Sequence, residues 1–169
     1  GAYALKTPGD SVRLYRGWAE TYDEDFAASH GYIVPGQVAA MFRAEGGTGP
    51  VLDIGAGTGL VGAALAMDAV DGIDISAEML AVAAAKGCYR RVIEGDLTGP
   101  LNIPDGAYAG FTSAGTFTHG HVGPVCLPEL MRIARPGALF VLSINAEAFH
   151  GAGFGSGFAG LGADGAITT

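Results

Sequence analysis

The stretch that decides the fold runs from residue 51 to residue 60 and reads VLDIGAGTGL. Residues 51–54 have the length and the mostly apolar composition of a buried strand. Three alternating glycines, Gly55, Gly57 and Gly59, follow where this strand ends and a helix begins. Glycine lets the backbone approach a ligand closely, and such loops hold nucleoside cofactors. The stretch therefore predicts a cofactor loop, with a purely structural strand-to-helix turn as the alternative.

Short apolar runs alternate with helix-like segments along the rest of the chain. Alternating strands and helices indicate a parallel sheet covered by helices on both faces. Residues 97–107 include Pro100, Pro104 and Gly106, so this link is predicted to be mostly loop. The predicted strands are 51–54, 69–75, 89–93, 108–113 and 138–144, and the predicted helices of this part are 60–67, 77–86 and 127–134.

The two ends of the chain flank this pattern within one domain spanning residues 1–169. Helical spacing of apolar residues predicts an amphipathic helix over 12–28, and a second helix from Pro35 to the Gly46-Gly47 pair. Residues 1–48 are thus interpreted as a helical lid and 49–145 as the cofactor-binding core. For the glycine-rich, incomplete part over 146–169, a flexible segment and a weak helix both remain open.

The composition of the chain restricts which binding partners and sites it can have. The 169 residues carry 17 acidic and 9 basic side chains, a net charge of −8, which disfavours nucleic acid and anionic membrane surfaces as partners. Two cysteines cannot build a disulfide framework or a zinc site. No apolar run approaches the ~20 residues that cross a bilayer, and no export signal is visible. We therefore expect a soluble, cytoplasmic protein.

Acidic residues lie within or shortly after the first three predicted strands. Asp53 lies inside the first strand, where a lone carboxylate is costly to bury unless it orders the loop amides or a bound cation. Asp74 ends the second strand about twenty residues beyond the loop, the position from which a carboxylate binds ribose hydroxyls. Asp96 follows the third. Because ligands collect at the carboxyl ends of parallel strands, we expect Gly55, Asp74 and Asp96 to converge at one edge.

A second glycine register leaves the cofactor open at this point. Residues 57–62 also satisfy the G-x-G-x-x-G string of dinucleotide-binding proteins. Counting from Gly55, the first glycine after the strand, places Leu60 where the third glycine should be. This register disfavours a nicotinamide cofactor without excluding it.

The combined pattern resembles the class I S-adenosylmethionine-dependent methyltransferases. The pattern comprises D-x-G-x-G-x-G over 53–59, the acid Asp74, Gly95-Asp96, and Arg135-Pro136-Gly137 before the fifth strand. The resemblance implies a three-layer Rossmann-like sheet of strand order 3-2-1-4-5, with S-adenosylmethionine as cofactor and S-adenosylhomocysteine as product. Residues 18–26, 30–32 and 115–121 are most similar to the methyltransferase-like group named for the Williams-Beuren chromosomal region.

The resemblance also assigns roles to particular positions. It implies that residues 55–59 line the methionine part, that Asp74 takes the ribose hydroxyls, and that Asp96 and Leu97 meet the adenine. Ser76 is also interpreted as a helix N-cap. The complete set of expected cofactor contacts is Tyr22, Asp53, Gly55, Ala56, Gly57, Thr58, Gly59, Asp74, Ile75, Ser76, Met79, Gly95, Asp96, Leu97, Ser113, Ala114 and Gly115.

The loop after the fourth strand is predicted to face the transferred methyl group. His119 and His121 are the candidate general bases, because imidazole titrates near neutral pH. No metal is expected, since a third ligand is not evident near these histidines. The loop lacks the motifs of nucleic-acid and protein-arginine methyltransferases, so a small-molecule acceptor is expected. The expected substrate contacts are Tyr15, Trp18, Thr116, Phe117 and His119.

The sequence departs from the family at its C-terminal end. Members usually add two strands after the fifth, and residues 146–169 are too few for both. An uncovered strand edge over 138–142 is an aggregation hazard, so a missing tail or a covering partner is expected. Monomer and homodimer both remain open. Two alternative functions also remain: an NAD-dependent oxidoreductase and a non-catalytic cofactor-binding module.

Overall fold

Five strands and six α-helices alternate along residues 32–118 and 122–168, which are the residues that the computed structural model describes. The strands are β1 (Val51–Ile54), β2 (Val70–Asp74), β3 (Arg91–Glu94), β4 (Tyr108–Phe117) and β5 (Ala134–Ile144). The helices are α1 (Val34–Ala44), α2 (Leu60–Leu65), α3 (Ala77–Lys86), α4 (Leu127–Ile133), α5 (Ala146–Gly151) and α6 (Phe154–Ala163), with a 3-10 turn at Pro124–Cys126.

The strands form one parallel sheet in the order β3-β2-β1-β4-β5, which confirms the predicted fold class and strand order. Strand β1 lies at the centre of the sheet. Its Asp53 is level with Gly72 on β2 and with Thr112 on β4. Because all strands point the same way, their carboxyl ends meet at one edge, and this edge carries the glycine loop and the acids that follow β2 and β3.

Two hydrophobic cores lie on opposite faces of the sheet, since successive side chains of a strand point to opposite faces. Leu52 and Ile54 pack into the core that also holds residues of β4 and α4. Val51 packs into the other core, against Phe42 of α1 and residues of α2. Helices on both faces therefore hold β1 and the glycine loop that follows it.

Four strands begin or end at residues other than those predicted, and of these β2 is only one residue shorter at each end. Strand β3 begins at Arg91 and not at Tyr89, whose side chain turns inward. Strand β4 continues through Gly115 to Phe117. Strand β5 begins at Ala134 and includes Pro136, because an edge strand tolerates a proline that cannot donate to a neighbour.

The C-terminal part forms two helices, α5 and α6, so the helical alternative is correct for this region. Asn145 caps α5 by accepting hydrogen bonds from the amides of Glu147 and Ala148. Phe154, fully buried, packs against Phe117 with ring centroids 5.4 Å apart, and Phe158 stacks beside it. Burial of these rings stabilises helices whose glycine content alone disfavours them.

The predicted N-terminal helix over 12–28 lies outside the described residues. Among the helices within 32–118 and 122–168, none has both the length and the apolar character needed to span a bilayer.

Candidate functional site

The glycine loop joins β1 to α2 in a conformation that favours glycine. Gly55, Gly57 and Gly59 have φ angles of 63°, 53° and 91°, all in the left-handed region that other residues rarely adopt. A Cβ on Gly55 would overlap the Thr116 side chain. A Cβ on Gly57 would meet no atom within 4 Å and would instead project into open space. The loop therefore packs against Thr116 at Gly55 and leaves open space beside Gly57, where a ligand can approach the backbone.

Asp74 connects this loop to the end of β2. One carboxylate oxygen accepts a hydrogen bond from the Gly57 amide at 2.9 Å, and the other accepts one from the Ser76 amide at 2.9 Å. Burial raises the pKa of Asp74, and the hydrogen bonds from these amides oppose that shift. The carboxylate is thus held in one orientation beside the loop.

An open pocket of about 890 Å³, including space open to solvent, lies at the carboxyl edge of the sheet. Most of the predicted cofactor residues line it. They are residues 55–58, Asp74, Ile75, Met79, residues 95–97, Ala114 and Gly115, together with Thr116 from the predicted substrate set.

Asp96 contributes a carboxylate at the rim of this pocket. Its Oδ1 accepts hydrogen bonds from the amide of Thr98 at 2.8 Å and from the hydroxyl of Thr98 at 2.6 Å. These contacts order the turn that follows β3. The structure thus brings the acids that follow β2 and β3 to the same pocket, as the strand ends predict.

Sequence reasoning missed several residues of the pocket wall. Tyr32 and Pro35 approach from the start of α1, and Val122 lies beyond the loop after β4. Leu60 and Val61, from the first turn of α2, complete this set. The resemblance of residues 30–32 to a methyltransferase-like group was a usable signal for Tyr32, whereas nothing in the sequence pattern identifies Val122.

Some predicted contacts have other positions in the structure. Ser76 is buried and caps α3, because its hydroxyl accepts a hydrogen bond from the Met79 amide at 3.2 Å. Ser113 is buried too, and its hydroxyl donates to the carbonyl of Ile54 at 2.8 Å. Phe117, which was assigned to the substrate, is fully buried in the core and does not line the pocket. It packs against Phe154 on the face opposite α1 and α2.

Asp53 lies beneath the loop and does not line the pocket. It is 1% exposed and accepts hydrogen bonds from the hydroxyl of Tyr89 and, at 3.0 Å, from the hydroxyl of Thr112. Burial, with a smaller contribution from the nearby carboxylate of Asp74, raises the pKa of Asp53 to about 7, although the hydrogen bonds from both hydroxyls oppose that shift. The acid inside β1 therefore has two side-chain donors as partners, while the loop amide of Gly57 bonds to Asp74.

The ring of Tyr89 explains the second glycine register. A Cβ on Gly62 would overlap this ring. Gly62 is thus needed for the packing of a protein side chain, and the match of residues 57–62 to a dinucleotide string has a structural cause.

Five predicted residues lie outside the described part of the chain. They are His119, His121, Tyr15, Trp18 and Tyr22. Among residues 32–118 and 122–168, no group of three or more histidine, cysteine, aspartate or glutamate side chains is arranged to hold a metal ion.

A protein-family comparison supplies independent evidence. Residues 52–142, more than half of the chain, match the family described as the methyltransferase domain. The match begins in β1 and ends within β5, so it includes the glycine loop, Asp74 and Asp96. No curated protein matches the chain significantly.

Solved structures of methyltransferases share the fold. A TehB-like S-adenosylmethionine-dependent methyltransferase of Corynebacterium glutamicum is 22% identical, with a TM-score of 0.64 over 87% of this chain and 80% of that one. A protein of Methanococcus maripaludis assigned to the same enzyme class is 22% identical, with a TM-score of 0.59 over 87% of this chain and 68% of that one.

A third neighbour is a S-adenosylmethionine-dependent methyltransferase of Thermotoga maritima, described as a candidate histamine N-methyltransferase. It is 20% identical, with a TM-score of 0.57 over 72% of this chain. This chain spans 57% of the length of the Thermotoga protein. At these identities the likeness establishes the shared fold.

Proposed function

The chain belongs to the methyltransferase-domain family, and from this premise we propose that it transfers a methyl group from S-adenosylmethionine to a small-molecule acceptor. The observation that carries the proposal is the position of Asp74. Its carboxylate lines the pocket at the end of β2 and holds the Gly57 amide of the glycine loop. A carboxylate at this position and beside such a loop is suited to binding ribose hydroxyls.

The residues of the pocket fit this cofactor. The open side of Gly57 leaves room that any Cβ would fill, so the loop accommodates the methionine part. Asp74 is proposed to hold the ribose, with Ile75, Asp96 and Leu97 around the adenine. When bound, the cofactor supplies a methyl group activated by a positively charged sulfonium.

Positioning is proposed to supply most of the rate enhancement. Holding donor and acceptor in line can replace dedicated catalytic groups, because the methyl group is already activated. The hydroxyl of Thr116 donates to the Ile54 carbonyl at 2.9 Å, which leaves it poorly suited to be a base. We keep His119 and His121 as the candidate bases for an acceptor that must lose a proton, with Tyr15 and Trp18 as further candidate contacts.

A small acceptor is supported by the composition of the pocket and of the chain. The wall on the side of α1 and β4 presents small or apolar groups, among them Pro35, Ala114 and Val122. The net charge of −8 opposes the approach of polyanionic acceptors. The narrower kinship with the Williams-Beuren-region group, the cytoplasmic location and the choice between monomer and homodimer remain predictions.

The nicotinamide alternative loses its main support. It depended on the glycine register over 57–62, and the contact between Gly62 and the Tyr89 ring accounts for the last of those glycines. The proposal for a methyltransferase therefore explains more of the loop than its rival.

A panel of acceptors tests the proposed function. The protein is incubated with S-adenosylmethionine and small hydroxyl, amine and thiol acceptors, and formation of S-adenosylhomocysteine is measured beside an Asp74→Asn variant. We expect turnover with at least one small acceptor and its loss in the variant. Cofactor binding without turnover on any small acceptor, or turnover on protein or nucleic acid alone, would contradict the proposal.

A further inference from the structure

Tyr89 lies between α3 and β3, outside every strand, and its ring lies against three glycines from different elements. A Cβ on Gly62 of α2 would overlap the ring, and one on Gly72 of β2 would lie 2.9 Å from it. One on Gly59, at the end of the cofactor loop, would lie 3.3 Å from it. The ring thus occupies a space that only glycine at these positions leaves open.

The Tyr89 hydroxyl joins β1 to the beginning of α2. It donates a hydrogen bond to Oδ2 of Asp53, which is 1% exposed. The ring that carries this hydroxyl lies against Gly62, in the first turn of α2 and directly after the cofactor loop. The contacts therefore run from Asp53 through Tyr89 to the first turn of α2.

We propose that Tyr89 is a positioning residue of the cofactor site, through which the buried Asp53 holds the junction between the glycine loop and α2. This inference rests on the proposed function, because it takes the loop as the cofactor's binding surface. Asp53 does not line the pocket, and Tyr89 connects it to the first turn of α2, whose Leu60 and Val61 do. Neither residue touches the reacting atoms.

The charge of Asp53 makes this role measurable by pH. The groups that face it are Tyr89 and Cys88 from the segment before β3, Thr112 from β4 and Asp74 from β2. Burial raises the pKa of Asp53 to about 7, and the Tyr89 hydroxyl lowers it from what burial alone would give. Loss of that hydroxyl raises this pKa further. Because ionised Asp53 attracts a cationic cofactor, affinity should fall as the pH decreases through the pKa of Asp53.

Two phenylalanine variants separate positioning from general stability. Tyr89→Phe keeps the ring and removes the hydroxyl. Tyr108→Phe is the matched control, because the buried Tyr108 also donates to an aspartate, Asp71 at 2.7 Å, but does not itself line the pocket. The dissociation constant of S-adenosylmethionine is measured by calorimetry from pH 6 to pH 9, together with the melting temperature of each protein.

We expect Tyr89→Phe to weaken binding about fivefold or more near neutral pH, and to move the acidic limb of the affinity profile to higher pH. Tyr108→Phe should lower the melting temperature and leave both the affinity and the profile unchanged. An unchanged affinity profile in Tyr89→Phe overturns the inference. So does an equal loss of affinity in both variants, since that is the mark of a merely structural role.

Gly62→Ala provides a second variant that leaves Tyr89 in place. Alanine favours a helix over glycine, so the change would stabilise α2 if the contact with Tyr89 were unimportant. We expect the added methyl group to displace the ring and to weaken cofactor binding in the same way as Tyr89→Phe. Unchanged or tighter binding overturns the inference. If the wild-type protein binds neither S-adenosylmethionine nor S-adenosylhomocysteine, the proposed function itself fails, and the positioning role fails with it.

Discussion

Asp74 accepts a hydrogen bond at 2.9 Å from the backbone amide of Gly57, seventeen residues earlier in the chain. This contact joins the end of β2 to the glycine loop that leaves β1. The residue proposed to bind ribose and the loop proposed to bind methionine are thus one structural unit. A change in either should affect the binding of the whole cofactor.

Gly57→Ala should weaken cofactor binding by about tenfold or more. The Cβ would project into the open side of the loop, where no protein atom lies within 4 Å. The positive φ of 53° adds a conformational cost of about 1 kcal/mol to the folded state. Affinity is measured by calorimetry and stability by urea denaturation.

Gly87→Ala is the control for this strain. Gly87 also has a positive φ, 67°, and open space around it, but it ends α3 away from the pocket. Both variants should lose similar stability, and only Gly57→Ala should lose affinity. Equal affinities in the two variants would show that the loop does not face the cofactor.

Asp53→Asn should change the dependence of stability on pH. The pKa of Asp53 is raised from 3.8 to about 7 by burial, so the folded state binds the proton more tightly than the unfolded state does. The stability from this group is fully present below about pH 4 and is lost as the pH rises through 7. Between pH 5 and pH 7 the variant should therefore gain about 2 kcal/mol relative to wild type, as measured by urea denaturation.

Asp71→Asn should show the opposite sign. Burial opposes ionisation of Asp71, yet hydrogen bonds from Arg90, Tyr108 and Arg91 together lower its pKa. Its stabilisation is present above about pH 4 and is lost as the pH falls through the lowered pKa. The penalty of this variant should shrink in acid. Parallel profiles for the two variants would contradict the assignment of Asp53.

Asn145→Ala should destabilise the protein by about 1 kcal/mol, because it removes the cap of α5. Asn102→Ala is the control, since Asn102 is exposed on the loop before β4. Urea denaturation of both variants checks whether α5 and α6 fold with the domain. The same stability in both would mean that the C-terminal helices do not contribute to it.

The sequence was sufficient to predict a parallel sheet, because the strands and helices that build it are recognisable from short local stretches. Buried strands read as short apolar runs, and alternation with helices determines a parallel arrangement. Strand ends were predicted less well. Tyrosine favours strands, so Tyr89 was predicted to begin β3. Its side chain turns inward because its hydroxyl bonds to Asp53, which is far away in sequence. Pro136 reads as a break, and only its place on an edge strand makes it compatible with β5.

The candidate site was predicted where the residues follow strand ends, as with Asp74 and Asp96. It was missed where long-range packing decides the contacts. Phe117 lies within the loop predicted after the fourth strand, but its ring is buried in the core, where Phe154 of α6 packs against it. Propensity alone did not determine that α6 exists, and so it did not locate the side chains that α6 buries.

Calorimetric titration with S-adenosylhomocysteine tests the central claim most directly, with NADH as a competing ligand and Asp74→Asn as the matched variant. The account predicts that wild type binds S-adenosylhomocysteine and that NADH does not displace it. The variant should bind at least about tenfold more weakly, a loss of ~1.4 kcal/mol. Binding of NADH alone, or of neither ligand to a folded protein, would contradict the account.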